Sequence, residues 1–181
     1  MSLLKQKGHV AGKGHGTDMR KKTAFMGLFL AFALVLSYIE SLVPVSLGIP
    51  GVKLGLANLA VLLALYVYGW REALLLNLMR VLLSGFLFGS LFMAMYSMAG
   101  ALCSFSAMCL LKRTGRFSLT GVSMAGGVFH NVGQLLTAFF VLKAPGVVFY
   151  LPVLLAAGIG AGFLMGRLSE EVIKYIRRAR E

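Results

Sequence analysis

Acidic side chains are scarce in this chain. Its 181 residues hold six Asp and Glu against eighteen Lys and Arg, and the single aspartate is Asp18. Magnesium-assisted ionisation of a diphosphate needs clustered carboxylates to hold the metal, so the chain is not equipped to catalyse it alone. There is no G-x-x-x-x-G-K-[S/T] run, which leaves any ATP hydrolysis to a partner. Cysteine is nearly absent as well. Cys103 and Cys109 both fall within one apolar stretch, where core packing is a better reading than a disulfide or a metal site. No serine near His130 has a carboxylate orienter within sequence reach, so no nucleophile–base pair stands out. The expectation is a non-catalytic chain with no cofactor and no metal.

What the chain does have is hydrophobicity. Apolar residues make up 59% of it, and its mean hydropathy is +0.84. A soluble domain of this size does not carry such a balance, whereas a polytopic membrane protein does. Formally uncharged stretches run over Thr23–Ile39, Leu54–Trp70, Val81–Leu111, Phe117–Leu142 and Ala144–Gly166. A span needs about 20 mostly apolar residues, so the long third stretch divides, with Gly85, Gly89 and Ser90 marking the break. The fold expected is all-α, with six transmembrane helices near 22–42, 54–69, 72–88, 91–111, 118–142 and 146–166. Residues 1–21 are expected to form a disordered cytoplasmic leader, and the first segment lacks the cleavage site of a signal peptide. Residues 167–181 read as a basic amphipathic helix on the inner membrane surface, with Leu168, Val172, Ile176 and Ala179 on its apolar face.

The net charge of +12 is topology rather than a nucleic-acid footprint. With the N-terminus in the cytoplasm, fifteen of the eighteen basic residues fall on the inner side. Only Lys53 and Lys143 fall outside, and Arg80 lies within the membrane. This bias sets the orientation, with both termini cytoplasmic in a cell membrane.

Arg80 is the most informative residue. Estimates of the cost of a guanidinium at mid-bilayer start at about 3 kcal/mol, so it should face the protein interior and an acidic partner, a polar cavity or an anionic ligand. Asn77 lies three residues earlier, on the same helix face. Glu40 falls near the outer end of the first helix, Lys53 opens the second and Asn58 follows it. The fifth helix presents Ser123, Gly127, His130, Gln134 and Thr137 as a stripe, with Asn131 beside it. These groups are expected to converge on a cavity open to the outside. Each has a plainer reading: Arg80 as a neutraliser of Glu40, Lys53 as a snorkelling lysine, and the Asn and His side chains as bonds between helices. The candidate ligand-binding set is Glu40, Lys53, Asn58, Asn77, Arg80, His130, Asn131 and Gln134. Pro44 to Gly51 cannot continue a helix and is expected to form a loop over the outer mouth. Gly158, Gly162 and Gly166 form two G-x-x-x-G steps suited to internal packing. Ala24, Gly27 and Ala31 line one face of the first helix, where docking of another subunit competes with internal packing.

Glu40 with Pro44, the run GVKLGLAN from Gly51 to Asn58, Arg80, and the run GVSMAGGVFHNVGQ from Gly121 to Gln134 together resemble a bacterial family known as heptaprenyl diphosphate synthase component I, or Gx transporter. That family is similar to the substrate-binding S components of energy-coupling factor (ECF) importers. The resemblance implies a six-helix membrane protein that captures a micronutrient outside, and the excess of basic groups at the expected cavity points to a small anionic one. It further implies association with a transmembrane coupling protein and a pair of cytoplasmic ATPases, with Ala24, Gly27 and Ala31 as the docking face. The alternative is a non-catalytic membrane accessory to prenyl diphosphate or quinone synthesis.

Overall fold

The computed structural model describes residues 3–42, 55–141, 143 and 145–178, with side chains from Arg20 onward other than those at 21, 91, 145 and 177. The described residues are helical, with no strand among them. They form α1 (Leu3–Leu42), α2 (Leu56–Val67), α3 (Trp70–Phe88), α4 (Leu91–Thr114), α5 (Leu119–Val141) and α6 (Leu151–Arg178). A short 3-10 turn, Pro145–Tyr150, leads into α6. This is the all-α, polytopic membrane fold expected from composition.

Four segments are long and apolar enough to cross a bilayer: Lys22–Leu42, Phe92–Thr114, Leu119–Val141 and Gly146–Ile176. The other two helices depart from the expected set of six full spans. Helix α3 has 19 residues, but Arg71, Glu72 and Arg80 lie within it. Helix α2 has only 12 residues, about 18 Å at 1.5 Å per residue, against a hydrocarbon core near 30 Å. Glycines clip it at both ends. Gly55 at φ 71° precedes it and Gly69 at φ 111° follows it, both in backbone regions that side-chain-bearing residues rarely adopt. Ala57 and Leu59 through Leu65 are buried, so neighbouring helices rather than lipid surround this short element.

Two groups of helices build the molecule. Helix α5 packs along both α4 and α6, while α1, α2 and α3 pack on one another. Helix α3 joins α4, and α2 joins α6, to close the bundle. The core under α2 comprises Ala33, Leu62, Leu65, Leu76, Phe105, Met108 and Val122. Polar ties secure one end: Lys22 of α1 pairs with Glu72 of α3. There Lys112 also reaches the Leu65 carbonyl in the last turn of α2 at 2.5 Å, with its ammonium 4.6 Å from the Tyr66 ring centre. A cation at that position complements both the unpaired carbonyls and the helix dipole.

The glycine steps of α6 form an internal seam, as expected. A Cβ added at Gly127 would lie 2.2 Å from the Gly158 oxygen, and one at Gly162 would lie 2.5 Å from Met124 Cα. One at Gly166 would meet Thr120 Cα at 2.7 Å. Only glycine permits this approach of α5 to α6.

The ends differ from expectation. Helix α1 extends back to Leu3 through the stretch read as a disordered leader; adding turns to an existing helix avoids the cost of nucleation. The basic tail continues α6 instead of forming a separate surface helix. Its inward face is Ser169 and Ile173, in register with the glycine seam, while Leu168 and Val172 are 44% and 37% exposed. Thr120 at the start of α5 fixes this end, donating its hydroxyl to Glu170 at 2.6 Å.

Candidate functional site

Helix α3 turns Ala73, Leu76, Asn77, Arg80 and Val81 inward and leaves Leu75, Met79, Leu82 and Phe86 exposed. That spacing is one face of an amphipathic helix, and it carries Arg80 into the bundle. Arg80 is 7% exposed. One terminal guanidinium nitrogen donates to Asn77 Oδ1 at 3.0 Å, and Asn77 Nδ2 donates to the Ala101 carbonyl of α4 at 3.2 Å. Asn77 is thus a clamp that fixes the guanidinium between α3 and α4. Among the described residues, Arg80 Nε is buried with no hydrogen-bond partner.

The plain pairing of Arg80 with Glu40 is not formed. The ion pairs among the described residues join Lys22 to Glu72, Arg167 to Glu170 and Lys174 to Glu171. Glu40 Oε1 instead accepts the Gly55 N–H at 2.6 Å, tying the C-terminal end of α1 to the start of α2.

Arg80 borders a cleft enclosing about 590 Å³, its open mouth included. Glu40 of α1, Asn58 of α2, Ser97 of α4, and Ser123, His130 and Asn131 of α5 also line it. Gly158, Ala161, Gly162 and Met165 form its α6 wall. Of the eight expected site residues, Glu40, Asn58, Arg80, His130 and Asn131 therefore meet around one space. Asn131 is partly committed, donating to the Leu154 carbonyl of α6 at 2.6 Å.

Two residues are placed otherwise. Asn77 sits behind Arg80 rather than in the wall. Gln134 is 1% exposed and turned against Gly100 of α4, outside the cleft lining. The expected α5 stripe divides because α5 is flanked on two sides: Ser123 and Gly127 face the cleft, His130 borders both the cleft and Gly100 of α4, and Gln134 lies against α4. Lys53 and the Pro44–Gly51 loop lie outside the described residues. Ala24, Gly27 and Ala31 are exposed, and a Cβ at Gly27 would touch nothing within 4 Å.

Sequence reasoning missed Ser97. It stands in an apolar helix with no motif around it, and only the packing of α4 reveals it. It also borders a second cleft, of about 610 Å³, between α1, α3 and α4. Glu40, Arg80 and Ser97 are common to both clefts.

The helices and the enclosed polar space define a polytopic α-helical membrane protein with an internal pocket built around a buried cation. The chain belongs to the heptaprenyl diphosphate synthase component I family, whose model matches residues 29–172. No curated protein and no solved structure matches it.

Proposed function

We propose that this chain is a non-catalytic binding subunit that captures a small solute by its anionic group and serves an importer in the manner of ECF S components. The observation that carries this reading is Arg80: buried, held by Asn77, in no salt bridge among the described residues, and bordering an internal cleft. The Glu40 carboxylate acts on Arg80 without forming a salt bridge to it; a buried charge with no direct ion pair is costly, and an anionic ligand supplies one. Asn58 and His130 add hydrogen-bonding groups from facing helices. In this reading the chain lies in a bacterial inner membrane with both termini cytoplasmic and the cleft loads from outside. The coupling protein docks along Ala24, Gly27 and Ala31, and partner ATPases drive release inward.

The family description favours a second reading, in which the chain is the membrane component of a heptaprenyl diphosphate synthase. Arg80 then grips a diphosphate for a separate catalytic chain. Gentle affinity purification from the host membrane separates the two. Co-recovery of a membrane coupling protein and two ATPases supports the importer, while co-recovery of a soluble aspartate-rich synthase supports the accessory. Uptake by proteoliposomes containing this chain alone dismisses both. Binding left intact by Arg80→Ala removes the anion site on which each depends.

A further inference from the structure

The second cleft has a chemistry of its own. Its lining includes Ser37 and Ser41 of α1 and Ser84 of α3, together with the shared Glu40, Arg80 and Ser97. Three of these hydroxyl protons are already committed to carbonyls of their own helices. Ser37 donates to Ala33 at 2.9 Å, Ser41 to Tyr38 at 2.7 Å and Ser84 to Val81 at 3.2 Å. A hydroxyl that has given its proton still offers oxygen lone pairs, so these serines present acceptors to the cleft. Glu40 adds a carboxylate, of which Gly55 occupies one oxygen. An acceptor-rich lobe therefore adjoins Arg80, whose Nε has no partner among the described residues. The shared border holds one cation and one anion that form no salt bridge, although the Glu40 carboxylate lies near enough to act on the Arg80 guanidinium.

We infer that the two clefts are lobes of one site for a small zwitterion, with its anionic group on Arg80 and an ammonium in the serine-lined lobe facing Glu40. This rests on the anion-binding reading above and narrows it. A simple anion neutralises Arg80 but leaves Glu40 beside it, near enough to repel the ligand. A zwitterion satisfies both charges and brings N–H donors to the serine oxygens, which a hydroxyl-free anion does not.

Matched probes test this with the full chain in lipid nanodiscs: β-alanine against propionate, and phosphoethanolamine against ethyl phosphate, titrated at millimolar concentrations while thermal unfolding is followed. The zwitterion of each pair is expected to bind about tenfold or more tightly than its partner, the scale of a charge-assisted hydrogen bond. Glu40→Gln keeps an acceptor for the Gly55 N–H and removes only the charge; it should erase that preference while anion binding persists. Ser84→Ala, which leaves the Arg80 and Glu40 contacts in place, should reduce the preference in part. Equal binding of both members of each pair, unchanged by Glu40→Gln, overturns the zwitterion proposal and leaves the anion site standing. No binding of any probe overturns the anion site and this proposal together.

Discussion

Asn77 shows how one amide determines what an arginine can do. It accepts from the guanidinium and donates to the Ala101 carbonyl, so its removal takes the partner of a buried guanidinium nitrogen and cuts a tie to α4. Asn77→Ala should lower stability by about 1–3 kcal/mol, the usual penalty for orphaned buried polar groups. It should also weaken ligand binding although Asn77 does not touch the cleft; unfolding in detergent and probe titration read the two effects separately. Asn131→Leu removes the bond to the Leu154 carbonyl. Interhelical side-chain bonds in membranes average roughly 0.6 kcal/mol, so its stability effect should be the smaller of the two. Arg80 was legible from sequence because its charge forbids lipid exposure. Gln134 was misplaced because an amide on a helical stripe does not reveal which of two neighbouring helices it meets.

Among the helices, close contact rather than composition separates glycines that matter from those that do not. Gly162 leaves no room for a methyl against Met124, whereas a Cβ at Gly160 meets nothing within 4 Å. Gly162→Ala should lower stability by about 1–3 kcal/mol through overpacking. Gly160→Ala should be neutral or slightly stabilising, because alanine is the better helix former. Melting temperatures of the two variants in the same detergent check the contrast. The G-x-x-x-G pattern identified this seam in advance. The length of α2 was not foreseen, because an uncharged stretch reads as a span whether or not its flanking glycines take positive φ. The tail likewise followed a rule invisible in its own pattern. Leu168 and Val172 suggested the apolar face, but the register inherited from Gly162 and Gly166 turned Ser169 and Ile173 inward.

For the molecule as a whole, the helical class and membrane character were readable from hydropathy, since four segments meet the length and polarity of a span. The asymmetry of Lys and Arg predicts an orientation that labelling can test. On a background of Cys103→Ala and Cys109→Ala, a cysteine at Ser90 should react with a membrane-impermeant thiol reagent from outside intact cells. A cysteine at Gly115 should react only in inside-out vesicles, and reversed accessibility would invert the topology. The cleft itself was only partly foreseeable. Polar residues on separate helices suggested convergence, but the division of space on either side of Arg80 depends on how α1 meets α3 and α4.

The backbone approach of Gly127 to Gly158 has a mechanical consequence. Helices touching through main-chain atoms cannot slide past one another without collision, so α5 and α6 are bound to travel as a single plate. Among the described residues α1 contacts α2 and α3, held by side-chain ties, Lys22 to Glu72 and Glu40 to the Gly55 N–H, rather than by main-chain contact. Any widening of the space around Arg80 is therefore expected on the α1–α3 side rather than within the glycine plate.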